Sequence, residues 1–125
     1  MVTKITDILI LGAGAAGAGA ALWAQKYNME YAIVDMKGLG GRLNYIKHSI
    51  RGYAGFSGTG PELIQNTLTQ MEENVILDKI ISIDHMAKTV CCKKINFNYK
   101  YLILATGLSL NYLNLDSDRI LYSIS

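Results

Sequence analysis

Runs of apolar residues alternate along the chain with short breaks of glycine and polar residues. Ile5-Thr6-Asp7-Ile8-Leu9-Ile10-Leu11 is rich in β-branched and leucine residues and reads as a buried parallel strand. At Gly12 the character changes to glycine and alanine. Ala18 to Tyr27 continue as a helix whose small residues suit close packing on a sheet. Tyr31-Ala32-Ile33-Val34 is the next strand, and Asp35 ends it. Pro61 to Met71 predicts a second helix. Proline stands in its first turn, and Leu63, Ile64, Thr67, Leu68 and Met71 form one apolar stripe. Val75-Ile76-Leu77 is a short strand. Ile80-Ile81-Ser82-Ile83, Thr89-Val90-Cys91-Cys92 and Ile95-Asn96-Phe97-Asn98 read as a three-stranded meander. Tyr99 to Leu104 is a further buried strand, running into Ala105-Thr106-Gly107.

Composition narrows the class. Of 125 residues, 50% are hydrophobic and 18% charged, which excludes a disordered tail and suits one well-buried domain. Net charge is +2, from 12 basic and 10 acidic residues spread along the chain, so no nucleic-acid partner is expected. Ile8 to Gln25 is uncharged and close to membrane-spanning length. Its switch of character at Gly12 is what a strand, a tight turn and a helix need, and one continuous helix has no use for it; no membrane segment is expected. Cys91 and Cys92 are adjacent and on a strand would face opposite ways. They are expected to be reduced structural thiols of a cytoplasmic protein.

Chemistry enters at Gly12-Ala13-Gly14-Ala15-Ala16-Gly17, a G-x-G-x-x-G between a strand and a helix. Gly12 permits the sharp turn, Gly14 lets a pyrophosphate approach the backbone, and Gly17 lets the helix pack close to the sheet. The helix start offers unpaired N–H groups to phosphate oxygens. Asp35, about 20 residues on, stands where a carboxylate reaches ribose hydroxyls. The fingerprint serves FAD and NAD alike. Gly38-Leu39-Gly40-Gly41-Arg42-Leu43 adds a second glycine cluster on which backbone can lie against a long dinucleotide.

Taken together, the G-x-G-x-x-G, Asp35, Gly40-Gly41-Arg42-Leu43, Tyr53-Ala54-Gly55-Phe56 and Tyr101-Leu102-Ile103-Leu104-Ala105-Thr106-Gly107 resemble the amino-terminal FAD-binding portion of thioredoxin-reductase-like flavoproteins, within the pyridine nucleotide–disulfide oxidoreductases. The resemblance runs over nearly the whole chain. It implies an α/β fold, a Rossmann-like three-layer FAD-binding domain with helices on one face of a parallel sheet and a small antiparallel β-meander on the other. It implies FAD held by Gly12, Gly14, Ala15, Ala16, Gly17, Asp35, Met36, Gly40, Gly41, Arg42, Leu43, Ile80, Ala105, Thr106 and Gly107, with adenine near Ile80. Residues 1–125 are expected to form this single domain, with 107–125 as a carboxy-terminal extension or partner contact.

The chain departs from that family at several points. The family's domain is completed by a segment that returns after an NADPH domain, and its Cys-x-x-Cys lies in that domain; neither stands in this sequence, and Ser123 falls near the first cysteine's place. Gly52 replaces an asparagine that many relatives carry near the flavin, and Arg42 replaces a glutamine. A guanidinium there would either tune the flavin or pair with phosphate or solvent. Tyr45 and Tyr53 are candidates to stack near a flavin, with half-buried packing as the alternative; His48 and His85 have no partner at catalytic spacing. The expected function is an FAD-dependent oxidoreductase completed by a partner reductase chain or a second copy. The alternatives are a non-catalytic FAD or adenine-dinucleotide module and a truncated relic of a longer reductase. The apolar stretch Leu108 to Leu115 is read as a surface seeking cover.

Overall fold

A computed structural model describes residues 1–108. The readings placed on Leu108 to Leu115 beyond its first residue, on Ser123 and on most of 107–125 lie outside them. In chain order the elements are β1 (Val2–Leu11), α1 (Ala15–Lys26), β2 (Tyr31–Asp35), a 3-10 turn (Gly41–Tyr45), α2 (Gly60–Gln70), β3 (Ile76–Leu77), β4 (Ile80–Asp84), β5 (Thr89–Cys92) and β6 (Ile95–Leu104). The six strands among the described residues belong to one sheet of order β3-β2-β1-β6-β5-β4. β1 is central and pairs in parallel with β2 and with β6, as Ile8 to Leu11 do with Tyr31 to Val34.

Two cores sandwich the sheet. On one side Ile8, Ile10 and Ile33 pack with Ala21 and Ala24 of α1. The buried face of α1 is Gly17, Ala18, Ala21 and Ala24, and these short side chains let the helix lie close to the strands. On the other side Leu9, Leu11, Ala32 and Val34 share a core with Val90, Cys92, Phe97 and Tyr99 of the antiparallel strands. The result is three layers: helix, parallel strands, meander. α2 opens on Thr59, whose hydroxyl accepts from Glu62 N–H at 3.4 Å, and Pro61 sits in its first turn as its missing N–H allows.

The structure corrects the sequence reading in three places. β1 begins at Val2, because its amino-terminal half pairs with Ile95 to Tyr99. The third meander strand and the strand expected from Tyr99 are one strand, β6, which runs parallel to β1 along its length and antiparallel to β5 from Asn96 to Asn98. The second half of β6 is also less buried than its apolar run suggests: Tyr101 is 66% and Leu104 64% exposed. Among the described residues the pairing of β6 with β5 stops at Asn98, so this half has a neighbouring strand on one side only.

The meander also separates the two cysteines. Cys92 is buried in the core and Cys91 is exposed. Burial, with the charges of Asp78 and Cys91 nearby, pushes the Cys92 thiol up to about 11. In folded protein at pH 8, iodoacetamide is expected to label Cys91 and spare Cys92 until denaturant is added, as peptide mass spectrometry would show.

Candidate functional site

The site forms where the carboxyl ends of β1, β2 and β6 meet the start of α1. Leu11 ends β1, and Gly12 turns the chain with φ +102°. A Cβ at Gly12 would collide with the Ala105 carbonyl and stand 2.9 Å from Thr106 Cα. Ala105 N–H donates to Leu11 C=O at 2.8 Å, which holds the end of β6 against this turn. A Cβ at Gly17 would collide with Gly12 C=O, so this glycine lets α1 begin directly over the turn.

Gly14 differs from both. Its backbone is extended, and a Cβ placed there would meet nothing closer than Gly41 Cα at 4.0 Å. The first helical bond runs from Ala18 N–H to Gly14 C=O at 2.9 Å. The N–H groups of Ala15, Ala16 and Gly17 therefore precede the ladder, and no acceptor meets them among the described residues. No side chain caps this end and no acid stands in the first turn. Unpaired donors and the positive end of the helix dipole together favour an anion.

The second glycine cluster is tied to the first. Gly40 N–H donates to Ala13 C=O at 2.7 Å. A Cβ on Gly41, whose φ is +52°, would stand 3.1 Å from Gly14 Cα, so the two segments face each other as bare backbone. Arg42 and Leu43 follow in the 3-10 turn. A cleft of about 40 Å³ lies behind these segments, lined in part by Gly14, Gly40, Leu43, Tyr53 and Ile64. It holds water at most, so a dinucleotide would lie across the open rim, where Ala15 and Ala16 are exposed.

Asp35 is the acid of the site, and its geometry adds to the expectation. Its Oδ2 accepts from Ala13 N–H at 2.9 Å, and its Oδ1 from Lys37 N–H at 2.7 Å and Gly38 N–H at 3.1 Å. The carboxylate thus fastens the glycine loop to the end of β2. Two oxygens offer about four lone-pair directions, so one remains for a hydroxyl. Met36 lies exposed at the rim, and Tyr45 and Tyr53 are both half exposed. Ile80 opens β4, pairs with Cys92 and packs against the core on the meander side of the sheet. Gly107 has φ +71°, and among the described residues no atom lies within 4 Å of where a Cβ would stand. His48 and His85 are exposed.

The sequence reading did not single out Asp78. It is 5% exposed. Its Oδ1 accepts from Lys79 N–H at 2.8 Å and Lys94 N–H at 3.1 Å; its Oδ2 accepts from Lys94 N–H at 3.0 Å and Ile95 N–H at 2.9 Å. Burial pushes this carboxyl up, but the three N–H donors and the Lys94 charge outweigh it and hold it below the ordinary carboxylate value. A depressed folded pKa stabilises the fold above the unfolded value of about 3.9 and ceases to do so as pH falls through the folded one. The melting temperature is therefore expected to fall on acidification below about pH 4. The Asp78→Asn variant, less stable at pH 7, should lose less over the same interval, as thermal melts followed by circular dichroism would show.

A strand, an uncapped helix start facing bare glycine backbone, and an acid at the next strand end define a dinucleotide-binding domain of the Rossmann type. Residues 6–122 match the pyridine nucleotide-disulphide oxidoreductase family, and the chain belongs to it. It is 33% identical over 111 residues to the thioredoxin reductase of Peptoclostridium acidaminophilum, covering 83% of this chain and 35% of that protein. With the thioredoxin reductase of Mycoplasma genitalium it shares 32% over 126 residues, 94% of this chain and 39% of that one. The crystal structure of Lactococcus lactis thioredoxin reductase superposes with a TM-score of 0.78 at 27% identity, covering 88% of this chain and 38% of that chain. The chain thus spans little more than a third of the length of the relatives it matches. The family is one of FAD-binding flavoproteins, and FAD is the cofactor. The site fits it: the donors at α1 are without acceptors and the Gly14 backbone is open. No helix among the described residues is long and apolar enough to cross a membrane.

Proposed function

We propose that residues 1–125 form one FAD-binding domain of a thioredoxin-reductase-like oxidoreductase. A partner reductase chain, a second copy or further polypeptide completes it, and it works in the cytoplasm. When bound, FAD supplies the redox centre. This chain's residues bind and orient it. The N–H groups of Ala15, Ala16 and Gly17 take the pyrophosphate oxygens, and Gly14 and Gly41 give that group room. Asp35 holds the ribose with its remaining lone pair while keeping the loop in place. Ala105 and Thr106 close the turn from the β6 side.

The observation that carries this reading is the uncapped start of α1 opposite Gly41, with Asp35 bonded to the same loop. Titration of the purified apoprotein with FAD tests it. One equivalent should be taken up with quenching of flavin fluorescence, and no uptake would overturn the assignment. The oxidoreductase part is tested with NADPH, an artificial acceptor and a polypeptide carrying the portion of a thioredoxin reductase beyond the matched third. Turnover supports it; flavin that binds and is never reduced would make the chain a binding module.

A further inference from the structure

We propose that Asp78 is a positioning residue for the adenosine end of the cofactor. The inference rests on the reading that the FAD ribose lies at Asp35. Apart from Asp78, the one other buried polar residue among those described is Thr6, and its hydroxyl donates to Ile8 C=O at 3.2 Å. Asp78, by contrast, joins two parts of the sheet that do not pair with each other.

On one side its N–H donates to Asp35 C=O at 3.1 Å, just beyond the point where Leu77 of β3 pairs with Asp35. On the other its carboxylate gathers the N–H groups of Lys79, Lys94 and Ile95, across the turn between β5 and β6. Lys93 N–H also donates to Lys79 C=O at 2.9 Å, and Ile80 pairs with Cys92. The stretch from Asp78 to Ile80 is thereby clamped between the end of β2 and the meander. Asp35, at one jaw of the clamp, is the residue whose side chain holds Ala13 N–H. A route of hydrogen bonds therefore runs from the glycine loop through Asp35 to the Asp78 carboxylate.

Asparagine at position 78 cannot reproduce the clamp. Both oxygens accept N–H groups, and whichever way an amide turns, its NH2 faces a donor. Asp78→Asn is therefore expected to weaken binding of both ADP and FAD by about tenfold, the loss of one charge-assisted hydrogen bond's worth of order at the site. The control is Val90→Ala, a truncation in the meander core that lowers stability without touching the clamp.

The experiment is calorimetric titration of wild type, Asp78→Asn and Val90→Ala with ADP and with FAD, alongside thermal melts. Support is an equal loss for both ligands in Asp78→Asn and wild-type affinity in Val90→Ala. The proposal is overturned if Asp78→Asn binds ADP as wild type does, or if Val90→Ala loses as much. A wild type that binds neither ligand overturns the FAD reading itself, a separate and recognisable result. If Asp78→Asn does not fold, amide exchange in the wild type decides. FAD should slow exchange at Lys79, Lys94 and Ile95 if the clamp and the site are coupled, and unchanged exchange there overturns the proposal.

Discussion

Gly14→Ala is expected to fold as well as the wild type and to lose FAD. The backbone at Gly14 is extended, with φ −75°, a conformation alanine adopts freely. The added methyl would meet only Gly41 Cα, at 4.0 Å, an ordinary contact. Stability should therefore stay level or rise by about 0.5 kcal/mol, because alanine narrows the unfolded ensemble. The same methyl occupies the space through which a pyrophosphate approaches the N–H groups of Ala15 and Ala16. Losing two charge-assisted hydrogen bonds lowers affinity by about 100-fold, or about 2.7 kcal/mol. Thermal melts and FAD fluorescence titration measure the two quantities separately. A variant that binds FAD as tightly as wild type would place the phosphates elsewhere.

Gly12→Ala should fail in the opposite way. At φ +102° a side chain is strained, and here the methyl also drives into the Ala105 carbonyl. Relief requires β1 and β6 to part at their carboxyl ends, where Ala105 N–H holds Leu11 C=O. The expected cost is about 3–5 kcal/mol, combining strain with overpacking. That corresponds to a fall of about 10–20 °C in melting temperature. FAD binding would be lost as a consequence of the damaged fold. Gly12 and Gly14 thus separate two roles within one fingerprint: the first joins strands, and the second leaves a ligand its place. A Gly12→Ala protein as stable as wild type would contradict the close packing of the turn against β6.

The sequence was most legible where the chain makes one sharp change of character. β1, the glycine turn, α1 and β2 follow from an apolar run, a glycine spacing and an alanine-rich helix, and Asp35 from its distance to the loop. β6 was harder because its pattern changes within a single strand. Asn96 and Asn98 alternate with Phe97 and Tyr99 beside β5, and a continuous apolar run follows where β5 has ended. The reader sees two periods and infers two strands. Asp78 was hidden for another reason. Its partners are backbone N–H groups from the far side of a turn, and no residue type advertises a backbone donor. The three donors on Asp35 were equally out of sight. The acid's position was legible, and its engagement with Ala13, Lys37 and Gly38 depends on the path of the loop.

The pairing of Val2 with Ile95 has a consequence in time. The ribosome makes the first strand long before its main neighbour exists. At about 5–20 residues per second, several seconds of synthesis pass before the two can meet. During that interval Ile8, Leu9, Ile10 and Leu11 have only β2 beside them. Pairing between such distant segments is intrinsically slow, on the order of milliseconds to seconds once the chain is complete. Until β6 emerges, β1 therefore presents an unpaired edge on that side, the kind of edge on which another chain can pair.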